Sequence, residues 1–380
     1  MVSDHKIVVT ALLLLGGLSA SAQTVNRGAV ISIKPNTILS IKTDFTNNGT
    51  VVNNGNLVIA GRWQNNETYD AGSGGITFNS DIEQIINHND QSFSHLTISG
   101  GGRKLFLANI TIEKELVFQD GILTSQNGAH IVFTPGSTAI GGSDVAHING
   151  RVYHQGTGNL LYPVGNGSTY LPVTLNDVPA NTQVGIEVQN IPPGTSLSTR
   201  APLIDVVSEN VWFIDVVQGN LESSSITLPA HNLAPNVKTE TVVVAQSQSP
   251  TGPFSSLGQS EFAGTAQQGF VTALQGPAES FVTLATSADD GSITVFNGVS
   301  PDGDGLNDYW HIENIDKLPD AQPNKVTIFN RWGDALWTAK NYDNVTNVFT
   351  GSDLPAGTYF YKIEFPEGRK TITGFLSLKR

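Results

Sequence analysis

Short apolar segments recur at a nearly constant interval in the first part of the chain. They begin at Ile38, Leu57, Ile76, Leu96, Leu116 and Ile131. The successive intervals are 19, 19, 20, 20 and 15 residues. A short strand at each such interval is typical of a parallel β-helix, in which a coil buries its apolar face only by stacking on its neighbours. We therefore predict a short parallel β-helix over residues 23–150, with the stack finishing near residue 140, where the interval shortens.

Corners rich in asparagine and glycine separate these segments, as in the NNG triplets at residues 47–49 and 53–55. Asn and Gly accept the left-handed backbone conformations that sharp corners need, and Asn side chains can form ladders along stacked corners. An antiparallel meander with long loops is the alternative. The two differ in register, because the β-helix requires the four strands that begin between Leu57 and Leu116 to stack in parallel.

Residues 151–288 have a different pattern, with apolar segments separated by turns that contain Pro and Gly. The predicted strands are Tyr162–Gly165, Tyr170–Leu175, Gln183–Gln189, Val211–Val217, Ser225–Leu228, Thr241–Ala245, Gly269–Ala273 and Ser280–Ala285. Strands of this kind favour an antiparallel β-sandwich. Trp212 and Phe213 are expected in or beside its core.

The last block, residues 291–380, follows a linker at residues 289–291. Its predicted strands are Ile293–Phe296, Tyr309–Ile312, Val326–Asn330, Ala335–Thr338, Gly357–Glu364 and Thr371–Lys379. A compact, Ig-like β-sandwich is the expected fold. Helical periodicity is missing outside the N-terminus, so the sequence predicts an all-β fold class.

The N-terminus carries the pattern of a secretory signal peptide over residues 1–22. Lys6 is followed by an apolar run at residues 7–18 and by a small-x-small cleavage site that ends at Ala22. The run is too short to span a bilayer. We therefore expect cleavage near Ala22, and a mature chain without a transmembrane span.

The chain is acidic and lacks cysteine. Its net charge is −13, and residues 23–290 hold 21 acidic against 10 basic side chains, which gives −11. Because phosphates require patches of Lys and Arg, the composition argues against nucleic acid as a partner. No disulfide bond can stabilise the fold.

Four sequence blocks in the last ninety residues match one family at normal spacing. They read FNGVSPDGDGLND at residues 296–308, IFNRWG at 328–333, LPAGTYFY at 354–361 and TGFLSLKR at 373–380. These residues closely resemble the C-terminal sorting domain of the Bacteroidetes type IX secretion system, in its type B, gliding-motility-associated form. Asp302 stands where that family usually has Asn.

The resemblance rests on a defined set of positions. They are Asn297, Gly298, Ser300, Pro301, Asp302, Gly303, Asp304, Gly305, Asn307, Asp308, Asn330, Arg331, Trp332, Gly333, Leu354, Pro355, Gly357, Thr358, Tyr359, Tyr361, Gly374, Lys379 and Arg380. The resemblance implies two partners, the type IX outer-membrane translocon and an associated outer-membrane partner protein. It also implies residence at the outer cell surface or release to the medium.

Several residues of the four blocks are also expected to stabilise the fold. The glycines of the four blocks suit tight turns. Trp332 and the aromatic triplet at residues 359–361 are expected to supply core area to a small domain without disulfides. Arg331 is expected to pair with a carboxylate or to stack on an aromatic ring.

Asp302, Asp304 and Asp308 have the spacing of an acidic loop with glycines between them. Calcium takes carboxylate and carbonyl oxygens, so a calcium site is one interpretation. The loop lacks the distal Glu of a full calcium-binding hand, which favours a hydrogen-bonded turn that needs no ion. The sequence implies no other cofactor.

The sequence contains no recognisable catalytic motif. A zinc-binding HExxH pair, a nucleophile elbow, a P-loop and a dinucleotide fingerprint are all missing. The charged side chains of the coils are expected at solvated corners: Asp81, Glu83, Arg103, Lys104, Glu113, Lys114, Glu115 and Asp120. The leading prediction is a surface adhesion or structural protein without catalytic residues, whose ligand is a surface glycan or matrix. The alternative is a glycan-binding or glycan-degrading enzyme that uses the β-helix face.

Overall fold

The computed structural model describes residues 23–192, 194–287, 293–316, 318, 321–365 and 369–380. The predicted signal peptide and linker lie outside the described residues. The fold is nearly all β, with 54% of the residues in strands, and the described residues form no α-helix. The predicted fold class is confirmed, since a β-solenoid of about seven turns is followed by further sheets. The described part of the chain has no helix long and apolar enough to cross a membrane.

Sixteen strands build the solenoid. In chain order they are β1 (Gln23–Ile33), β2 (Ile38–Ile41), β3 (Asp44–Asn53), β4 (Asn56–Ile59), β5 (Trp63–Asn65), β6 (Thr68–Asp70), β7 (Gly75–Phe78), β8 (Gln84–Asn87), β9 (Ser92–Ile98), β10 (Lys104–Phe106), β11 (Ile110–Phe118), β12 (Leu123–Ser125), β13 (Ile131–Phe133), β14 (Thr138–Ile140), β15 (Ile148–Asn149) and β16 (Val152–Tyr162). One parallel sheet has the order β1-β3-β5-β8-β10-β12-β15. The second is built on β2, β4, β7, β9 and β11.

The parallel register predicted for the second sheet is confirmed. Leu57 lies beside Ile76, Ile76 beside Leu96, and Leu96 beside Leu116. These side chains are at most 1% exposed and form one apolar row along the solenoid. The constant interval therefore arises because each coil places the same strand position over the coil before it.

The predicted end of the stack near residue 140 is wrong. Ile131 does not follow Leu116 but pairs with Ile110, and the row continues to Val152. Strand β11 is long enough to pair with β13 through its first half and with β14 through its second. The interval of 15 residues joins Leu116 in one row to Ile131 in the other. The prediction failed because it assumed a single strand row per coil.

A ladder of buried asparagines runs along one corner, as the NNG triplets suggest. The Asn26 amide donates to Asn47 Oδ1 over 2.8 Å, and the Asn47 amide donates to Asn65 Oδ1 over 2.7 Å. All three side chains are at most 4% exposed. Because a buried amide without partners is costly, each coil helps to satisfy the amide of its neighbour.

Eleven strands follow between residues 165 and 287. They are β17 (Gly165–Asn166), β18 (Thr169–Tyr170), β19 (Val173–Asn190), β20 (Leu203–Val206), β21 (Asn210–Gln218), β22 (Ser225–His231), β23 (Val242–Ser247), β24 (Ser255–Ser256), β25 (Glu261–Gly264), β26 (Gln268–Thr272) and β27 (Phe281–Ser287), with a 3₁₀ turn at Thr239–Thr241 before β23. The pairings among these strands are antiparallel.

Two strand predictions in this region are corrected. The segments Tyr170–Leu175 and Gln183–Gln189 are not separate strands, because β19 runs through 18 residues. Asp177 and Asn181 adopt positive φ angles of 54° and 59° within it. Irregular residues of this kind bend a strand without ending it. The predicted strand Tyr162–Gly165 is interrupted after its first residue, where β16 ends and Pro163 follows.

Strand β16 joins the solenoid to the antiparallel region. Val152 pairs in parallel with Ile131 and antiparallel with Ile186. One apolar cluster runs from Ile33 in the solenoid to Leu284 in β27. Trp212 is fully buried in this cluster, as predicted, and its indole N–H donates to the Leu171 carbonyl over 3.1 Å. The boundary at residue 150 stays a prediction.

Seven strands belong to the last block. They are β28 (Thr294–Val295), β29 (Gly298–Val299), β30 (Ile312–Glu313), β31 (Lys325–Phe329), β32 (Ala335–Lys340), β33 (Gly357–Glu364) and β34 (Ile372–Leu378). Five form a sheet in the order β29-β34-β33-β31-β32, and β28 pairs with β30. The predicted strand Tyr309–Ile312 is wrong except at Ile312. Trp310 N–H there donates instead to the Phe349 carbonyl over 2.7 Å.

Candidate functional site

The five-stranded sheet has one apolar core of its own. Trp310, Tyr342 and Tyr361 lie at its centre, with ring centroids of Trp310 and Tyr361 4.8 Å apart. Strand β33 alternates between buried and more exposed residues, which places Tyr359 and Tyr361 on the core face. The prediction that these two tyrosines supply core area is confirmed, since they are 6% and 7% exposed.

The first sequence block begins as an edge strand and continues as a loop. Strand β29 was missed from the sequence, although it pairs in parallel with the end of β34. The Asn297 carbonyl accepts from Ser377 N–H, and Lys379 N–H donates to the Val299 carbonyl, both over 2.8 Å. The chain terminus is thereby bound to the start of the block, more than seventy residues earlier.

The loop that follows is held by its own carboxylates. Asp308 accepts from Gly303 N–H over 2.7 Å and from Gly305 N–H over 2.9 Å. Both glycines have positive φ angles, 81° and 87°, which suit Gly best. Leu306 N–H donates to Asp304 Oδ1 over 2.7 Å.

The acidic side chains also converge. Asp302, Asp304 and Asp308 each offer a carboxylate oxygen, and these oxygens lie within 4.8 Å of one another. The loop thus combines the hydrogen-bonded turn with a cluster that has the donor atoms calcium prefers. Whether calcium binds there stays a prediction.

The second block forms the turn between β31 and β32. Asn330 Oδ1 accepts from the N–H groups of Trp332 over 2.9 Å and Asp334 over 3.0 Å, and Gly333 takes a φ of 90°. Arg331 stacks on the Trp332 ring, with its guanidinium carbon 4.8 Å from the ring centroid. The stacking predicted for Arg331 is therefore confirmed.

The expected core role of Trp332 is wrong. Its side chain is 76% exposed, because the turn that carries it extends beyond the last pairing of the sheet at Phe329 and Ala335. Phe360 is likewise not in the core and is 46% exposed. The alternation of β33 gives the signal that was missed, since Phe360 lies between two inward-facing tyrosines.

The third and fourth blocks contact each other. Tyr359 Oη donates to the Pro355 carbonyl over 2.7 Å. The Arg380 guanidinium donates to the carbonyls of Gly351, Ser352 and Leu354, the last over 2.8 Å. Gly374 lies opposite Tyr361, and a Cβ at this position would come within 2.4 Å of the tyrosine oxygen. A glycine is therefore required where the Tyr361 ring crosses β34.

Strand register brings the four blocks to one end of the sheet, which we call the motif end. Strand β31 leads into the turn at residues 330–333 just beyond the Phe329–Phe360 pair. Gly357 begins β33 beside Leu378, near the end of β34, and Val299 pairs with the same Leu378. Blocks that are separated by up to eighty residues in sequence thus share one surface.

An exposed apolar row crosses the outer face of this sheet. Phe329 pairs with Phe360, and Phe360 pairs with Phe375. Phe296 lies two residues before β29, whose Gly298 pairs with Ser377 on β34. Phe296, Phe360 and Phe375 are 49%, 46% and 53% exposed, whereas Phe329 is half-buried. The sequence blocks contain all four phenylalanines, but only strand register reveals that Phe329, Phe360 and Phe375 form a row.

Several charged residues of the coils are paired with one another or with backbone groups. Arg103 and Glu83 form an exposed ion pair of 2.5 Å. Lys104 was expected at a solvated corner but is fully buried. Its ammonium donates to the carbonyls of Ser80 and Gly102 over 2.7 and 2.6 Å, which satisfies backbone groups at a corner of the solenoid.

Comparison with protein families gives one match. Residues 293–378 match the model of the CHU_C type IX secretion signal domain. The comparison with curated proteins and the comparison with solved structures gave no match. The matched range contains the three strands β31, β33 and β34 at the centre of the sheet, together with the apolar row and the acidic loop.

Proposed function

We propose that this chain, which carries a type IX secretion signal domain at residues 293–378, is an adhesion or structural protein of the outer cell surface without catalytic activity. The domain implies interaction with the type IX secretion system and export to the surface or the medium. The family match carries the export part of the proposal, because it identifies residues 293–378 as a secretion signal domain. We take residues 23–287 to be the exported cargo.

The proposed route has two steps. The signal peptide at residues 1–22 directs the chain across the inner membrane. The C-terminal domain then presents the folded protein to the outer-membrane translocon and to an associated outer-membrane partner protein. Export of a folded cargo suits this molecule, since its solenoid and antiparallel region share one core that includes no residue of the C-terminal domain.

The solenoid supports an adhesive or structural role. The outward positions of its second sheet form a row of small or β-branched side chains, Ser40, Val58, Thr77, Thr97 and Val117. A flat face of this kind offers a regular contact surface. Cleavage of a glycan would instead require two facing carboxylates that are free to act on it. Of the acids in the coils, Glu83 is paired with Arg103, and Asp81 and Asp120 interact with the Lys104 ammonium.

Recognition for export is assigned to the apolar row and the motif end. Exposed aromatic side chains grouped on a domain surface are typical of protein contacts. Phe360 and Phe375 are exposed members of the row, and Trp332 is exposed at the motif end. A partner protein that covers both the outer face and the motif end would bury the three rings together.

Deletion of residues 293–378 tests the export part of the proposal. The truncated chain should stay inside the cell and remain folded, because its core is complete without the deleted residues. Immunoblots of cell and medium fractions, with protease treatment of intact cells, measure the distribution. Normal surface or medium levels of the truncated chain would overturn the proposal.

A double substitution, Phe360→Ser with Phe375→Ser, tests the surface. We expect export to fall about tenfold, as for the loss of central contact residues. Val217→Ser is the matched control, because Val217 is 55% exposed on a strand of the antiparallel region. Equal export of the double variant and the control would remove the apolar row from the recognition surface without affecting the family match.

A further inference from the structure

A groove on the antiparallel region is built from two cavities that meet at His231. The smaller has a volume of about 330 Å³ and includes Tyr170 and Phe270 in its lining. The larger, of about 1120 Å³, includes Thr169 and Asn190. His231 lines both cavities, and Thr169 and Tyr170 are consecutive residues. The two cavities are therefore neighbouring parts of one groove, with a combined size suited to a ligand larger than a single sugar ring.

The smaller cavity has an aromatic wall. Phe270 is 47% exposed, although its neighbours Gly269 and Val271 on β26 are buried. The Tyr170 ring stacks on the His147 ring, with centroids 6.2 Å apart. A Cβ added at Gly142 would come within 2.4 Å of the same tyrosine ring, so the ring is packed tightly on the backbone. A ring fixed in this way, as Tyr170 is, offers a flat apolar surface without a further loss of side-chain entropy on binding.

The larger cavity has a wall of amides. Asn166, Asn190, Asn210 and Asn232 all contribute to its lining. Asn166 and Asn190 each donate to the other's Oδ1, Asn190 over 3.1 Å, and the Asn232 amide lies 2.9 Å from His231 Nε2. A carboxamide has two donor hydrogens and two acceptor lone pairs, so each of these side chains keeps at least one donor hydrogen and one acceptor lone pair for a ligand. Groups that both donate and accept match hydroxyl groups, which do the same.

The charges of the groove select among ligands. Within the described residues, no lysine or arginine lines either cavity, whereas Asp144 and Glu209 do. An anionic ligand would face these carboxylates without a cation to offset them. A purely apolar ligand would leave the amides of the larger cavity unpaired. A neutral ligand with hydroxyl groups and an apolar face fits both walls.

We infer that this groove binds a neutral oligosaccharide, with a pyranose ring stacked at Tyr170 and Phe270 and further hydroxyl groups bound by the amides beyond His231. The inference rests on the proposed function, since it names the class of ligand for an exported adhesion protein. It moves the ligand site from the β-helix face to the antiparallel region. The groove binds the sugar without changing it.

Titration calorimetry on the purified full chain tests the groove. The neutral probes are cellohexaose, laminarihexaose and mannohexaose, and hexagalacturonate is the acidic probe. We expect at least one neutral probe to bind and the acidic probe to fail. Phe270→Ala should weaken binding about tenfold through the lost ring contact, and His231→Ala should weaken it as well. Ile204→Ala, at a residue that is 64% exposed on β20 outside the groove, is the matched control and should bind like the unchanged chain.

Three results would overturn the inference. They are no binding of any neutral probe by the folded chain, binding that Phe270→Ala and His231→Ala leave unchanged, and recovery of shortened probe after incubation. Circular dichroism of each variant checks that it is folded. We expect both variants to fold, because Phe270 is exposed and His231 is half-buried. Failure here would leave the deletion experiment on export untouched, so the two proposals fail separately.

Discussion

Tryptophan and asparagine residues that are buried in the solenoid have counterparts near the surface of the C-terminal domain. Trp63 is fully buried between coils, where it stacks on Phe45 with centroids 5.4 Å apart. Trp332 projects from a turn and is 76% exposed. Asn47 belongs to a buried ladder, whereas Asn330 caps an exposed turn. Trp63 and Asn47 therefore stabilise the core of the solenoid, whereas Trp332 and the turn that Asn330 caps lie at the surface of the C-terminal domain.

This difference fits the proposed function. A cargo that crosses the outer membrane in folded form gains from a core closed along its whole length. A domain that another protein must recognise gains from exposed rings on a rigid sheet. We therefore expect substitutions of buried residues in the solenoid to lower the free energy of unfolding more than substitutions of exposed residues in the C-terminal domain.

The largest contrast is expected between the two tryptophans. Trp63→Ala should lower the free energy of unfolding by about 3–5 kcal/mol, because it leaves a cavity among fully buried rings. Trp332→Ala should change it by less than about 0.5 kcal/mol. Urea unfolding of the full chain, followed by circular dichroism, measures both. Similar losses of unfolding free energy in the two variants would contradict this difference between the solenoid and the C-terminal domain.

A second contrast concerns pH. Burial lowers the pKa of His88 from 6.5 to about 3, since the ring stacks on Phe93 and accepts the Trp63 indole N–H at 3.1 Å. Between about pH 3 and 6.5, His88 therefore binds a proton in the unfolded chain but not in the folded chain. This contribution to stability is fully present above pH 6.5 and is lost as the pH falls toward 3.

The loss from His88 amounts to about 3 kcal/mol at pH 4.5, and His154, whose pKa burial lowers to about 4, adds to it. His88→Gln removes the titrating group from the same position. Urea unfolding at pH 7 and pH 4.5 should show a smaller drop for His88→Gln than for the unchanged chain. If both chains lose equal stability between the two pH values, His88 does not carry the effect.

The asparagines should show a smaller contrast. Asn47→Ala removes the partner of both Asn26 and Asn65 inside the solenoid, so we expect a loss of about 2–3 kcal/mol. Asn330→Ala should cost about 1 kcal/mol or less, because water can replace its bonds at the exposed turn. The same urea experiment compares them. A larger loss for Asn330→Ala would mean that the turn, not the ladder, depends on its asparagine.

The sequence predicts the parts of this molecule that repeat locally. The row from Leu57 to Leu116 could be predicted, since every coil must bury one apolar strand position at the same place. The position of Ile131 could not, because two strand rows within one coil look like one shortened repeat. Phe360 is a different case, since period-two alternation next to Tyr359 and Tyr361 predicts its outward orientation.

The surfaces were the hardest features to predict. The apolar row joins Phe329, Phe360 and Phe375 through the pairing of three strands, which leaves no local pattern in the sequence. The groove brings Tyr170 beside Phe270 across a hundred residues. Only the sheet register places such residues together, and short-range periodicity carries no information about it.

The smallest effect is expected at the acidic loop. Three carboxylates within 4.8 Å repel one another, and calcium would relieve that repulsion. Asp308 already accepts two backbone N–H groups, and Asp302 and Asp304 each accept one, from Asp304 over 3.2 Å and from Leu306 over 2.7 Å. These bonds offset the negative charge without an ion. We therefore expect the melting temperature to be the same with calcium and with excess chelator.

Differential scanning calorimetry of the full chain distinguishes a calcium site from a hydrogen-bonded turn that binds no ion. A calcium ion that binds only the folded loop would add about 2.7 kcal/mol of stability at a hundredfold excess over its Kd, which is well above detection. Asp308→Ala should lower the melting temperature equally in calcium and in chelator, because it removes two turn bonds rather than a metal ligand. Asp353→Ala, at another exposed acid of this domain, is the matched control. A rise in melting temperature with calcium that Asp304→Ala abolishes would contradict this expectation, and would make the acidic loop a metal site that the cargo region lacks within its described residues.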